Sequence, residues 1–150
     1  MLQIRVAPLR VLDQEEALDF YVNKMGFEVA TDIKQGNFRW LTVRVPGDEG
    51  IEIFLEKPGA PAFDESTGQQ IRDLVAKGAL GGFVLYTDDC RKLYETLKAR
   101  GITDFPQEPM ERPYGVDMAI RDPFGNHWRV LEQRSWAKDR TREEAGAAAE

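Results

Sequence analysis

The sequence repeats one pattern at a spacing of about 75 residues, and this internal repeat strongly constrains the fold. In each copy an aspartate, Asp13 or Asp88, begins an amphipathic stretch, and a glycine, Gly26 or Gly101, follows about thirteen residues later. Aspartate is a common helix N-cap and glycine a common helix stop, so each copy predicts a capped helix followed by a strand. Two such modules in 150 residues predict two half-sheets whose equivalent positions face each other across one cleft.

The first copy reads as a β-α-β-β-β module over residues 1–57. Short apolar runs, bounded by glycine, proline and asparagine, predict its strands. A helix that starts at Asp13 and stops at Gly26 separates the first strand from the second. The predicted strands are Gln3–Val11, Phe27–Lys34, Phe38–Val45 and Ile51–Glu56.

The second copy covers residues 81–134 and has the same order of elements. Its helix is capped by Asp88 or Asp89, with Cys90 on the inward face. Three prolines between residues 106 and 113 predict a loop, because proline lacks the N–H that a strand ladder uses. The predicted strands are Gly81–Thr87, Ile102–Phe105, Gly115–Arg121 and His127–Gln133.

Two segments lie outside the modules. Residues 58–80 cross from one module to the other and are predicted to contain a short helix capped by Thr67 and Gln70. Residues 135–150 are rich in lysine, arginine, glutamate and alanine, and we assign this C-terminal tail no function.

Composition excludes several classes of protein. The net charge of −6 argues against nucleic acid as a partner, because phosphate binding requires a basic surface. Cys90 is the single cysteine, which excludes an intramolecular disulfide and favours a reducing compartment. No apolar run suggests a signal peptide or a membrane span, so we expect a cytoplasmic protein without a membrane partner.

Three motifs carry a family resemblance. The stretch Asp13–Tyr21, the pair Gly26-Phe27 and the turn Asp122–Asn126 together resemble the vicinal oxygen chelate superfamily, which includes glyoxalase I, bleomycin-resistance proteins and extradiol dioxygenases. The resemblance covers about Gln3 to Gln133. It implies an α+β fold in which two β-α-β-β-β modules form a curved mixed sheet around one cleft. It also implies a homodimer and a small-molecule partner, although one fold hosts many activities.

Enzymes of this superfamily hold a divalent metal ion with His or Gln, Glu and His side chains on the cleft strands, and the ion chelates two substrate oxygens. Counting from the helix caps and the turn places the equivalent positions at Val6, Glu52, Gly82 and Arg129. Only Glu52 offers a metal ligand, because valine and glycine lack donor atoms and arginine stays cationic. His127 adds one further donor. We therefore expect no metal and no other cofactor, with a divalent ion as the alternative.

The resemblance also pairs Glu52 with Arg129 across the cleft. This pair either has a structural role, filling a vacated metal site or facing solvent, or contacts a ligand. Aromatic and apolar side chains on strands of both modules complete a site suited to a flat molecule. The predicted ligand-binding residues are Glu52, Arg129, His127, Trp40, Phe54, Tyr114 and Met118.

Two functions remain open at this point. The first is metal-free binding of a small molecule in the cleft, as in the bleomycin-resistance branch. The second is a lyase or isomerase, and less readily a dioxygenase, acting on a vicinal-oxygen substrate. In that alternative Glu52 is the base and Arg129 anchors the developing oxyanion.

Overall fold

In a computed structural model of the chain, residues 1–133 are described. Their strands are β1 (Val6–Arg10), β2 (Glu28–Gln35), β3 (Phe38–Arg44), β4 (Glu52–Glu56), β5 (Val84–Tyr86), β6 (Gln107–Arg112), β7 (Gly115–Arg121) and β8 (His127–Gln133). Their helices are α1 (Gln14–Leu18), which continues as a π-helical segment over Asp19–Lys24, α2 (Glu65–Ala76) and α3 (Cys90–Ala99). The predicted tail at 135–150 lies outside the described residues.

The strands form two four-stranded mixed sheets with the same topology. The order is β1-β4-β3-β2 in the first sheet and β5-β8-β7-β6 in the second. In each sheet the first strand is parallel to the fourth, and the other neighbours are antiparallel. The predicted pair of β-α-β-β-β modules in an α+β fold is confirmed.

The chain divides into two compact units, and one of them includes a short segment from far along the sequence. The first unit contains Met1–Gly82 together with the turn Asp122–Asn126. The second unit contains Phe83–Arg121 and the strand that begins at His127. The connecting segment 58–80 and its helix α2 therefore belong with the first module.

The helix N-caps follow the expected chemistry, with one change of position. Asp13 accepts a hydrogen bond from the Glu16 backbone N–H at 2.8 Å, as predicted. Asp89, rather than Asp88, caps α3. The cap of α2 was predicted at Thr67, but it is Asp64, whose carboxylate accepts from the Thr67 N–H at 2.7 Å. No helix among residues 1–133 is both long enough and apolar enough to cross a membrane.

The proline-rich segment is a strand, which corrects the predicted loop. β6 pairs with β7 at the edge of the second sheet, and its register shifts between Gln107 and Met110. Pro109 lies inside this irregularity, where the ladder does not require its missing N–H. The predicted strand at Ile102–Phe105 is absent from the described structure, in which β6 takes its place beside β7.

Alternation along the strands gives the second sheet two different faces. Trp128 and Val130 on β8 are buried, as are Met118 and Ile120 on β7. Helix α3 packs against β6, β7 and β8, and its Cys90 N–H donates to the Glu132 carboxylate at 2.8 Å. The even-numbered positions of β7 and β8 thus form the helix-covered face. The odd-numbered positions form the opposite face, which we call the open face.

Candidate functional site

A pocket of about 300 Å³ lies on the open face of the second sheet. This volume is at the lower end of the range for small-molecule sites. Its lining combines apolar and polar groups: two aliphatic side chains, one aromatic ring, one amide and two ionised groups. The lining residues are Val84, Tyr114, Asp117, Arg129, Leu131 and Gln133.

Strand register brings these residues together. Val84 on β5 is the partner of Arg129 on β8, and Asp117 on β7 is the partner of Leu131. Because side chains alternate along a strand, Arg129, Leu131 and Gln133 project from one face. The pocket is therefore built on three adjacent strands, which hold its polar groups on a hydrogen-bonded scaffold.

Asp117 is the centre of the polar cluster, and its side chain is only 3% exposed. Its carboxylate accepts hydrogen bonds from the Gln107 amide and the Tyr114 hydroxyl, each at 2.6 Å. The Arg129 guanidinium forms a short ion pair with the same carboxylate. A second guanidinium lies close by, since Arg112 Nε is 3.6 Å from Asp117 Oδ1.

The protonation states of this cluster follow from its contacts. Burial raises the pKa of Asp117, but hydrogen bonds from Tyr114, Arg129 and Gln107 outweigh it and hold that pKa below its ordinary value. The hydrogen bond to Asp117, aided by burial, raises the pKa of Tyr114. At neutral pH the carboxylate is therefore ionised and the Tyr114 hydroxyl keeps its proton.

Gly115 explains how Tyr114 reaches Asp117. Its φ of 148° is positive, and a Cβ at this position would overlap the Glu132 backbone carbonyl. Tyr114 precedes this residue at the tight turn between β6 and β7, so its ring does not follow the alternation of β7.

The same irregularity corrects the prediction for Met118. The four-residue spacing from Tyr114 suggested that both side chains share the ligand-facing side. Met118 instead pairs with Val130, and both side chains are completely buried on the helix-covered face. Met118 therefore belongs to the core and is not part of the candidate site.

Three of the predicted residues lie in the first unit. Trp40 stacks on Phe54, with ring centroids 4.3 Å apart and planes at 28°. The Glu52 carboxylate accepts a hydrogen bond from the Thr42 hydroxyl at 2.7 Å. The structure thus brings Trp40 and Phe54 together and gives Glu52 a local partner. Their contact with a ligand remains a prediction.

The remaining predicted residues lie in the second unit. Arg129 and Tyr114 meet at Asp117, as described above. His127 is the first residue of β8 and lies opposite Arg121 at the turn end of the strand. Its spacing of two from Arg129 places it on the predicted face, outside the pocket-lining set.

The register also corrects one of the four positions considered for a metal. Val6 is the strand partner of Glu52, and the equivalent partner of Arg129 is Val84 rather than Gly82. Counting back from the helix cap missed this because Val84 lies five positions before the α3 cap, Asp89, whereas Val6 lies seven positions before the α1 cap, Asp13.

The residues at these positions do not fit a metal ion. Val84, like Val6, has no donor atom, and the guanidinium of Arg129 is a cation paired with Asp117. Within residues 1–133, no group of three His, Cys, Asp and Glu side chains comes together in a way that suits a metal. Glu52 alone is a suitable ligand at the four positions, and useful affinity requires several.

Asp117 is the important residue that sequence reasoning missed. The signal was a carboxylate in the otherwise apolar run Val116, Met118, Ala119 and Ile120. Such a residue requires partners when buried. By register, its counterpart in the first sheet is Thr42, since Thr42 pairs with Phe54 as Asp117 pairs with Leu131.

The polarity of these pairs is reversed between the two modules. In the first sheet a β3 hydroxyl donates to the β4 carboxylate of Glu52. In the second sheet a β8 guanidinium, from Arg129, donates to the β7 carboxylate of Asp117. The repeat thus preserves a polar pair at matching strand positions while exchanging donor and acceptor between strands.

Comparison with known sequences identifies relatives along most of the chain. The sequence model of the Glyoxalase/Bleomycin resistance protein/Dioxygenase superfamily matches residues 3–130. An uncharacterised protein of Shewanella frigidimarina (strain NCIMB 400) is 35% identical over 126 residues, which cover 83% of this chain and 88% of that protein.

Solved structures show the same relationship. UcmS2 is 40% identical with a TM-score of 0.82, and the match covers 89% of this chain and 99% of that chain. TnmS3, an antibiotic binding protein from Streptomyces sp. CB03234, is 27% identical with a TM-score of 0.69, over 89% of this chain and 98% of that one.

Proposed function

The chain belongs to the Glyoxalase/Bleomycin resistance protein/Dioxygenase superfamily, and from that premise we propose that it binds an organic small molecule without a metal ion. The observation that carries the proposal is the pocket on the open face of the second sheet. Its aliphatic side chains, Val84 and Leu131, lie beside an ordered cluster of Tyr114, Asp117 and Arg129. A mainly apolar wall with a few fixed polar groups is typical of ligand sites.

Two further observations support this function. The similar protein TnmS3 is an antibiotic binding protein. In addition, the positions that would supply metal ligands hold valine at Val6 and Val84 and a cation at Arg129. Binding requires only complementary shape and polar groups, so it does not depend on the metal-ligating side chains that these positions lack.

The proposal also includes a homodimer in the cytoplasm. Family membership supports the dimer, and the single cysteine supports a reducing compartment. Cys90 is buried, and burial raises its pKa to about 11, so it is kept as an unreactive thiol. Light scattering coupled to size-exclusion chromatography checks the dimer, because a mass near 17.1 kDa would contradict it.

Filling the pocket tests the binding site. A thermal-shift screen of natural-product-like molecules is expected to give ligands that raise the melting temperature of the wild type. For such a ligand, Val84→Trp should raise the dissociation constant at least about ten-fold, because the indole occupies the space between Arg129 and Leu131. Isothermal titration calorimetry measures the change.

Leu74→Trp is the matched control. Leu74 is an exposed aliphatic side chain like Val84, but it lies on α2 in the first unit. It should retain wild-type affinity. Equal affinity of wild type and Val84→Trp for every ligand would show that binding occurs elsewhere. A stoichiometric, tightly held metal ion in the purified protein would contradict the metal-free part of the proposal.

A further inference from the structure

We propose that the pocket on the open face selects a singly charged anion, with an acidic oxygen paired to Arg129 and an apolar body lying on Val84 and Leu131. This inference rests on the proposed function and names the class of ligand. It follows from how the two charged groups of the pocket are exposed.

The two charged groups of the Asp117–Arg129 pair differ in their exposure to solvent. The Asp117 side chain is 3% exposed, whereas that of Arg129 is 46% exposed. The carboxylate has its oxygens occupied by Gln107, Tyr114 and Arg129. The guanidinium has five N–H donors, and its ion pair with Asp117 leaves others for a ligand. A molecule entering the pocket therefore meets positive charge.

A second arginine leaves the cluster with an excess of positive charge. Arg112 Nε lies 3.6 Å from Asp117 Oδ1, so two guanidinium groups share one carboxylate. The Arg112 Nε atom is buried and lacks a hydrogen-bond partner among residues 1–133. The Arg112 side chain as a whole is 40% exposed, and one added negative charge beside the two guanidinium groups would balance the cluster.

Three acidic side chains near the pocket contact residues of α3 instead of the pocket cluster. Glu132 projects to the helix-covered face, where it accepts from the Cys90 N–H. Glu111 on β6 lies 3.8 Å from Arg91 of α3. Glu108, also on β6, accepts from the Tyr94 hydroxyl at 3.0 Å. These three carboxylates thus have partners on α3 and do not supply the charge that the pocket cluster lacks.

Tyr114 adds a second element of selectivity. Its hydroxyl donates to Asp117, so only the acceptor capacity of that oxygen is left for a ligand. A ligand that carries a hydroxyl beside its acidic oxygen can donate to Tyr114 while its anion pairs with Arg129. An aromatic hydroxy acid satisfies both groups at once.

Matched naphthalene probes test the charge preference. The probes are 2-naphthoate, 2-naphthamide and 2-naphthylmethylammonium, which share an apolar body and differ in charge. Calorimetry at low salt is expected to show 2-naphthoate binding at least about ten-fold more tightly than the amide, with no measurable binding of the ammonium. Adding the neighbouring hydroxyl, in 3-hydroxy-2-naphthoate, should increase affinity further.

The Arg129→Met variant tests whether Arg129 is responsible for the preference for the anionic probe. Methionine keeps much of the apolar side chain but removes the charge, so naphthoate and naphthamide should then bind within about two-fold of each other. Arg91→Met is the control, because it makes the same change in net charge on α3, where Arg91 is an exposed residue. It should keep the wild-type preference. Arg129→Lys should keep part of it, since ammonium retains the charge but loses the fork geometry.

The outcomes separate this inference from the proposed function. Equal binding of naphthoate and naphthamide to the wild type, or a preference unchanged in Arg129→Met, would overturn the anion assignment and leave small-molecule binding intact. Absence of naphthoate binding at millimolar concentration would also overturn it. Failure of the Val84→Trp test with every ligand would instead overturn the site itself.

Discussion

Asp122→Ala is expected to reduce the free energy of unfolding by about 3–5 kcal/mol, because one buried carboxylate organises the whole β7–β8 turn. Asp122 Oδ1 accepts from the backbone N–H groups of Phe124, Gly125 and Asn126, at 2.9, 3.0 and 2.8 Å. Its Oδ2 accepts from the Tyr21 hydroxyl at 2.6 Å and the Asn126 amide at 2.8 Å. Alanine would leave these donors without their acceptor in a buried environment.

Chemical denaturation followed by circular dichroism measures this loss. Tyr21→Phe serves as a partial control, because it removes only one of the hydrogen bonds to Asp122 and should cost about 1–2 kcal/mol. Asp104→Ala serves as the surface control. Asp104 is exposed and lies 3.8 Å from Arg121, so its loss should stay within about 0.5 kcal/mol. An Asp122→Ala protein as stable as Tyr21→Phe would contradict the proposed role of the turn.

Asp117→Asn is expected to have the second-largest effect, a loss of about 2–4 kcal/mol at neutral pH. Asparagine preserves the volume but removes the negative charge that Arg129 and Arg112 share. It also replaces an acceptor-only carboxylate with an amide, and the amide nitrogen cannot accept from Tyr114 or Gln107.

The pH dependence of this loss follows from the direction of the pKa shift. Asp117 has a pKa below its ordinary value in the folded protein, after its hydrogen bonds outweigh burial. Its stabilisation is therefore fully present above the unfolded pKa of about 3.9, and it is lost as pH falls through the lower folded value. The difference in the free energy of unfolding between wild type and Asp117→Asn should be constant from about pH 5 to 8 and should become smaller below about pH 4.

Asp32→Asn is the matched control for this experiment. Asp32 also binds an arginine, with two contacts of 2.8 Å to Arg39, but its side chain is partly exposed. Solvent screening should limit its cost to about 1 kcal/mol or less. Denaturation curves collected between pH 3 and 8 measure the stability losses of the two variants. If Asp117→Asn were no more destabilising than Asp32→Asn, the buried cluster would not have the structural role described here.

Much of the second module could be predicted from local signals. β7 and β8 have the predicted bounds, Gly115–Arg121 and His127–Gln133, because each is a short apolar alternation closed by a turn motif. β6 was missed because proline in the segment argues against a strand when the sheet order is unknown. An edge position and a register shift, both tertiary properties, accommodate Pro109.

The candidate site was only partly predictable for a similar reason. Arg129 was found by counting through the repeat, and it does line the pocket. Val84 and Asp117 were missed, since their place beside Arg129 depends on pairing between strands that are distant in sequence. Met118 was misplaced because even spacing implies a shared face only along one uninterrupted strand, and the positive φ of Gly115 interrupts it.

The sequence by itself determined the doubled module, the helix boundaries marked by Asp13 and Gly26, and the lack of metal-binding side chains at Val6 and Arg129. These properties depend on residue types and on short spacings along the chain, so they can be inferred without knowing which distant segments pair. Only the tertiary structure decided that two guanidinium groups converge on the buried Asp117. That arrangement depends on strand register and burial, because a carboxylate acquires its partners only when distant strands pair around it.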